Sequence, residues 1–154
     1  MKRIKIYTCS SMKSPNAAKT LNKAVGYILV FETEKGQVEL INTVLIEKYI
    51  ERMTANQSEL LAVILAFFRI NTKCEVDLYT DSQYVANGIA RVREWAKNGW
   101  KNSKGKTVSS MEDWKQLLWL MEGCVVHCHV GERNEYSRWL PNEVCKNRQF
   151  VGKR

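Results

Sequence analysis

Leu78-Tyr79-Thr80-Asp81-Ser82-Gln83-Tyr84-Val85 is the stretch that decides the fold. Val76, Leu78 and Thr80 alternate as one face of a strand, and the strand ends on a carboxylate, Asp81. Ser82 and Gln83 then open a helix that runs to Ala90 and continues through Trp95 as far as Asn98-Gly99. A carboxylate where a buried strand passes into a helix is well placed for a substrate or a metal. Taken alone, it is equally a helix N-cap.

Upstream, Ile4, Ile6 and Thr8 alternate with Lys5, Tyr7 and Cys9 as a first strand. Val25–Glu32 and Gln37–Ile46 read as two more, joined by a turn at Lys35-Gly36, with a polar loop from Pro15 to Lys23 before them. Thr54 can cap a helix beginning near Asn56, whose apolar face carries Leu60, Leu61, Ile64, Phe67 and Phe68. Downstream, Trp114, Leu117, Leu118 and Met121 recur at helical spacing within Met111–Met121, and both Trp114 and Trp119 are expected in the core. Cys124 to Val130 reads as a fifth strand, and Pro141 suits the first turn of a last helix, Asn142 to Phe150. The order predicts one α/β domain over residues 1–154, built on a mixed five-stranded sheet flanked by helices.

The chain has 154 residues, 24 Lys and Arg against 16 Asp and Glu, and a net charge of +8. Hydrophobic residues at 45% exclude a disordered chain, and no apolar run is long enough for a membrane span. Five scattered cysteines argue against a disulfide framework and for a reducing, cytoplasmic setting. Nothing in the sequence speaks for an oligomer, so a monomer is expected. The charge is localised: Arg91, Arg93, Lys97, Lys101, Lys104 and Lys106 against Glu94 give +5 over 16 residues. A second basic group, Lys146, Arg148, Lys153 and Arg154, lies at the C-terminus. Such clustering points to a polyanionic partner. Cys124, His127, Cys128 and His129 are compact enough to suggest zinc, but strand alternation puts the thiols and the imidazoles on opposite faces.

Ile6-Tyr7-Thr8, Ala55-Asn56-Gln57-Ser58-Glu59-Leu60 and Leu78 to Val85 resemble, in order and spacing, successive motifs of the type 1 ribonuclease H family. So does the block from Trp95-Ala96-Lys97-Asn98-Gly99-Trp100-Lys101 through Lys106-Thr107-Val108 to Asp113-Trp114, which looks like the family's basic protrusion, here about 91–107. The resemblance runs from about Ile4 to Asn147. It implies a ribonuclease H-like fold and a relation to endonucleases that cut RNA in RNA–DNA hybrids with two divalent metals held by four carboxylates. Glu59 and Asp81 match two of those acids. Cys9 stands where the first is expected, and Lys146, in Asn142-Glu143-Val144-Cys145-Lys146, where the fourth is. Arg133 falls near the position of the family's loop histidine. A thiol is a poor Mg²⁺ ligand and an ammonium repels a dication.

The expectation is therefore a catalytically defective member with no resident metal, Mg²⁺ or Mn²⁺ serving only if activity survives. In it, Lys146 is expected to pair with Asp81 or Glu59, and Cys145 to be packed core. Binding to hybrid or double-stranded nucleic acid falls to Lys97, Lys101, Lys104 and Lys106 on phosphates and to Trp95 and Trp100 as flat faces, Arg91 and Arg93 adding charge. Asn56 and Gln83 match family positions that contact the RNA strand. Against this, an expected guanidinium is absent at Asn56-Gln57, and the loop Ser10–Lys19 lacks the family's glycines. Two rival readings are a protein-interaction or decoy module mimicking the family shape, and an active hybrid endoribonuclease with a rebuilt site that uses Glu132, Glu135 or Glu143.

Overall fold

The computed structural model describes residues 1–13, 23–46 and 53–151. The Pro15–Lys23 loop up to residue 22, the glycine-poor stretch beyond Lys13, and the terminal Lys153 and Arg154 lie outside the described residues. Strands β1 (Lys2–Ser10), β2 (Ala24–Thr33) and β3 (Gly36–Leu45) precede α1 (Ala55–Phe67) and β4 (Cys74–Thr80). Helices α2 (Gln83–Lys97) and α3 (Met111–Leu120), strand β5 (Val125–Val130) and α4 (Trp139–Val151) follow. The sheet order is β3-β2-β1-β4-β5. β1, β2 and β3 pair antiparallel, and β1, β4 and β5 parallel, so the expected mixed five-stranded sheet flanked by helices is present.

Local chemistry accounts for the element boundaries. The β2–β3 turn closes through Gly36, whose φ of +114° a side chain would resist. Thr54 caps α1: its hydroxyl accepts from the Gln57 amide while the Gln57 side chain accepts from the Thr54 amide. Ser82 caps α2 by accepting from the Val85 amide at 3.1 Å. The last helix starts at Trp139, three residues before the expected Asn142. Pro141 still lies in its first turn, where a missing N–H costs nothing, and the extra turn buries Leu140.

Alternation along the strands divides the interior. Ile4, Ile6, Val76 and Leu78 face α1, α2 and α3 and join the larger core with Leu60, Phe67, Trp114 and Leu117. Tyr7, Ala24, Ile28 and Val30 face the other way, against Leu140 and Val144 of α4. Trp114 is fully buried, whereas Trp119 is 68% exposed, contrary to expectation. The reason is angular: Trp114, Leu117, Leu118 and Met121 keep the i, i+3, i+4, i+7 stripe, and Trp119 falls off it.

Candidate nucleic-acid interface and strand-end cleft

The basic protrusion grows from the end of α2. Gly99 at φ +69° turns the chain, and Trp100 follows in the left-handed region at φ +62°. Its amide donates to the Trp95 carbonyl at 2.7 Å, and the Val108 amide donates back to the Trp100 carbonyl at 2.9 Å. A single β-bridge, Lys101 to Thr107, closes the excursion. Arg91, Arg93, Lys97, Lys101, Lys104 and Lys106 are all exposed, and none forms an ion pair among the described residues. Lys101 Nζ donates to the Thr107 hydroxyl at 3.2 Å. Trp95 and Trp100 are half-buried and pack on the larger core. Trp95 lies edge-on to Trp114 with centroids 5.6 Å apart, and Lys115 sits 5.7 Å above the Trp100 ring. They serve first as the root of the protrusion, with part of each surface left to solvent. Asn56 and Gln83 are exposed in the first turns of α1 and α2, and Gln83 bonds Asn87 at 2.9 Å.

The C-terminal ends of β1 and β4 open into a cleft of about 480 Å³. Cys9, half-buried, and Asp81, exposed, both line it, as does Arg133. Glu59, in the second turn of α1, is 2% exposed. Its neighbour Ser58 ties α1 to β1 through a 2.6 Å hydroxyl–hydroxyl bond to Ser10. Lys146 is not part of the cleft. Its ammonium binds Glu143 at 3.0 Å, one helical turn back, and is well exposed. The expected Lys146 pairing with Asp81 or Glu59 is thus replaced by a local i, i+3 pair, which a long side chain on the outer face of a helix forms at less cost than burial. Glu143 is engaged in the same contact. Cys145, expected in the core, is half-buried and borders a shallow surface depression with Trp139 and Asn142.

The loop from β5 to α4 forms the far wall of the cleft. It is anchored at two points that need the tertiary register to be seen. Tyr7 and Tyr79 are partners across β1 and β4, and Tyr79 and His129 across β4 and β5, so their rings stack at 4.8 and 4.5 Å. His129 Nδ1 lies 2.8 Å from Glu132, and Nε2 lies 2.9 Å from Asp77. Carboxylates at both nitrogens favour the charged imidazole, chiefly through the Asp77 bond, and raise its pKa. Burial alone would raise the Asp77 pKa, but hydrogen bonds from His129 and Arg3 outweigh it and hold the carboxyl below its usual range. The Tyr7 hydroxyl donates to Glu135 at 3.0 Å, and burial together with that carboxylate pushes the phenol well up. None of these contacts was visible from spacing. The period-2 faces of β1, β4 and β5 were readable, but not which rung meets which.

The cysteine and histidine cluster dissolves in the same way. Cys124 packs with Cys74, sulfurs 3.6 Å apart, while His127 and His129 bind Glu75 and Asp77. Among the described residues, no three His, Cys, Asp or Glu side chains are grouped so as to hold a metal ion.

Known proteins share this fold. LC9-RNase H1, a type 1 RNase H with the type 2 active-site motif, superposes with a TM-score of 0.68 at 21% identity, over 94% of this chain and 70% of that one. LC11-RNase H1, solved with an RNA/DNA hybrid, superposes at 0.55 with 18% identity over 94% and 97%. The ribonuclease H of Pseudoalteromonas atlantica is 36% identical over 121 residues, 76% of this chain and 69% of its own. That of Legionella pneumophila (strain Corby) is 43% identical over 77 residues, 49% of this chain, so the match spans about half (54%) of that relative's length. The family model RNase H matches residues 1–135, and the chain belongs to the RNase H family.

Proposed function

We propose that this chain is a non-catalytic member of its family that binds RNA–DNA hybrid, or another duplex, through the protrusion. One observation carries the reading: six exposed cations on the end of α2 and the excursion that follows it, with no ion pair among the described residues, are available to phosphates. The hybrid-bound LC11-RNase H1 offers a fold precedent for that ligand. No helix among the described residues is long and apolar enough to cross a membrane.

The family's divalent cations do not fit the donors present. Cys9 supplies a thiol at the cleft, and Lys146 directs an ammonium at Glu143. Two hard cations require several carboxylate oxygens around each pair of positions. The additional acids of the cleft wall, Glu132 and Glu135, are engaged by His129 and Tyr7. This weakens the reading of a rebuilt active site.

The test sets the purified chain beside the Asp81→Asn variant on a labelled hybrid with Mg²⁺ or Mn²⁺. Both are expected to bind the hybrid and leave it intact. Parental cleavage that disappears in Asp81→Asn overturns the non-catalytic reading. Absence of binding at low salt favours a protein-interaction role instead.

A further inference from the structure

The carboxylates and guanidiniums of the strand-end cleft differ in how far they are committed. Glu132 is bound by His129, and Glu135 by the Tyr7 hydroxyl. Asp81 is exposed at the cleft, and Asp77, which does not line it, is shared between His129 and Arg3, the latter at 3.4 Å. Glu132 and Glu135 are thus engaged by side chains of β5 and β1. Arg133 and Arg138 line the same cleft, are exposed, and make neither a hydrogen bond nor an ion pair among the described residues.

Their loop is braced. The Gly131 amide donates to the Thr80 carbonyl at 3.0 Å, placing the start of the loop over the end of β4. Asn134 then accepts from the Tyr136 amide at 2.9 Å and donates to the Glu132 carbonyl at 3.2 Å, while its own amide donates to the Ser137 hydroxyl at 2.8 Å. Two unpaired guanidiniums on a braced loop, beside acids already engaged, suit one ligand chemistry. A guanidinium fork matches two oxygens of a phosphate, and it is more weakly hydrated than an ammonium.

We propose that Arg133 and Arg138 form a phosphodiester-binding site in this cleft that engages the duplex backbone directly, with no divalent cation between. The site deepens the duplex-binding reading and rests on it for the identity of its ligand. It also gives the cleft a role that does not depend on hydrolysis: a second anchor on the duplex, apart from the protrusion.

Two measurements test it on the full chain with EDTA present. The first titrates inorganic pyrophosphate and follows the backbone amides of Gly131, Asn134 and Ser137 by NMR. Shifts are expected in the parent and should vanish in Arg133→Gln/Arg138→Gln. The second measures a hybrid of about 20 base pairs by fluorescence anisotropy over a salt series. The double variant should lose about tenfold in affinity, and its salt slope should shrink by about 2. Unchanged amides, unchanged hybrid affinity in the double variant, or binding by the parent that appears only with Mg²⁺ each overturn the site. Pyrophosphate shifts without any hybrid binding would uphold the site and sink the duplex-binding function.

Discussion

His129 shows how much one side chain can determine when both of its nitrogens have partners. Its folded pKa is raised, first by the Asp77 bond, so the stabilisation it supplies is complete below its unfolded value near 6.5 and is lost as pH rises through the folded value. The Asp77 partner works in the other direction: its pKa is lowered, so its contribution is present above the ordinary carboxylate value and fades as pH falls through the folded one. His129→Gln should therefore cost about 1–2 kcal/mol in urea denaturation near pH 6 and progressively less in alkali. A destabilisation that stays constant from pH 6 to pH 9 would show that the imidazole is neutral in the folded protein. Sequence spacing placed His129 within a strand. Its two carboxylates lie 52 and 3 positions away, and only the nearer was open to local reasoning.

Among the elements, the crossing of α2 and α3 depends on a residue without a side chain. A Cβ built on Gly88 would lie 2.1 Å from the ring of Trp114, which is fully buried and donates its indole N–H to the Tyr84 hydroxyl at 3.2 Å. Gly88→Ala adds helix propensity worth about 1 kcal/mol. Overpacking outweighs it, because neither the ring nor the helix backbone can yield cheaply, and a net loss of about 1–2 kcal/mol is expected in chemical denaturation. A more stable Gly88→Ala protein would mean that the two helices are not in this contact. The helical stripe of α3 was legible in the sequence and correctly selects Trp114. Trp119, five positions on, shows that a large aromatic on an amphipathic helix is core only when its angle agrees.

At the scale of the whole molecule, the cations of the protrusion form no ion pairs that would tie them to the fold among the described residues. Because the protrusion cations form no ion pairs among the described residues, Lys97→Gln/Lys101→Gln/Lys104→Gln should leave Tm within about a degree of the parent. The same variant should reduce the salt slope of hybrid binding by about 3. A large fall in Tm with an unchanged slope would assign these lysines to the fold instead. Localisation of the charge was plain in the sequence, since six cations fall within 16 residues. That three of them stand on α2 and three on an excursion rooted by half-buried Trp95 and Trp100 required the packing.

The sequence by itself determined the alternation of strands and helices and the place of Asp81 at a strand end. Those follow from periodicity and residue chemistry, which are local along the chain. Tertiary structure decided the company each residue keeps. Cross-strand register stacked Tyr7, Tyr79 and His129, and helix angle turned Lys146 toward Glu143 and away from the cleft. Hydrogen bonds from the sheet engaged Glu132 and Glu135, leaving Arg133 and Arg138 without partners among the described residues. The physical reason is range: a period of two or 3.6 residues fixes a face, whereas contacts across dozens of positions exist only after the sheet has set its register.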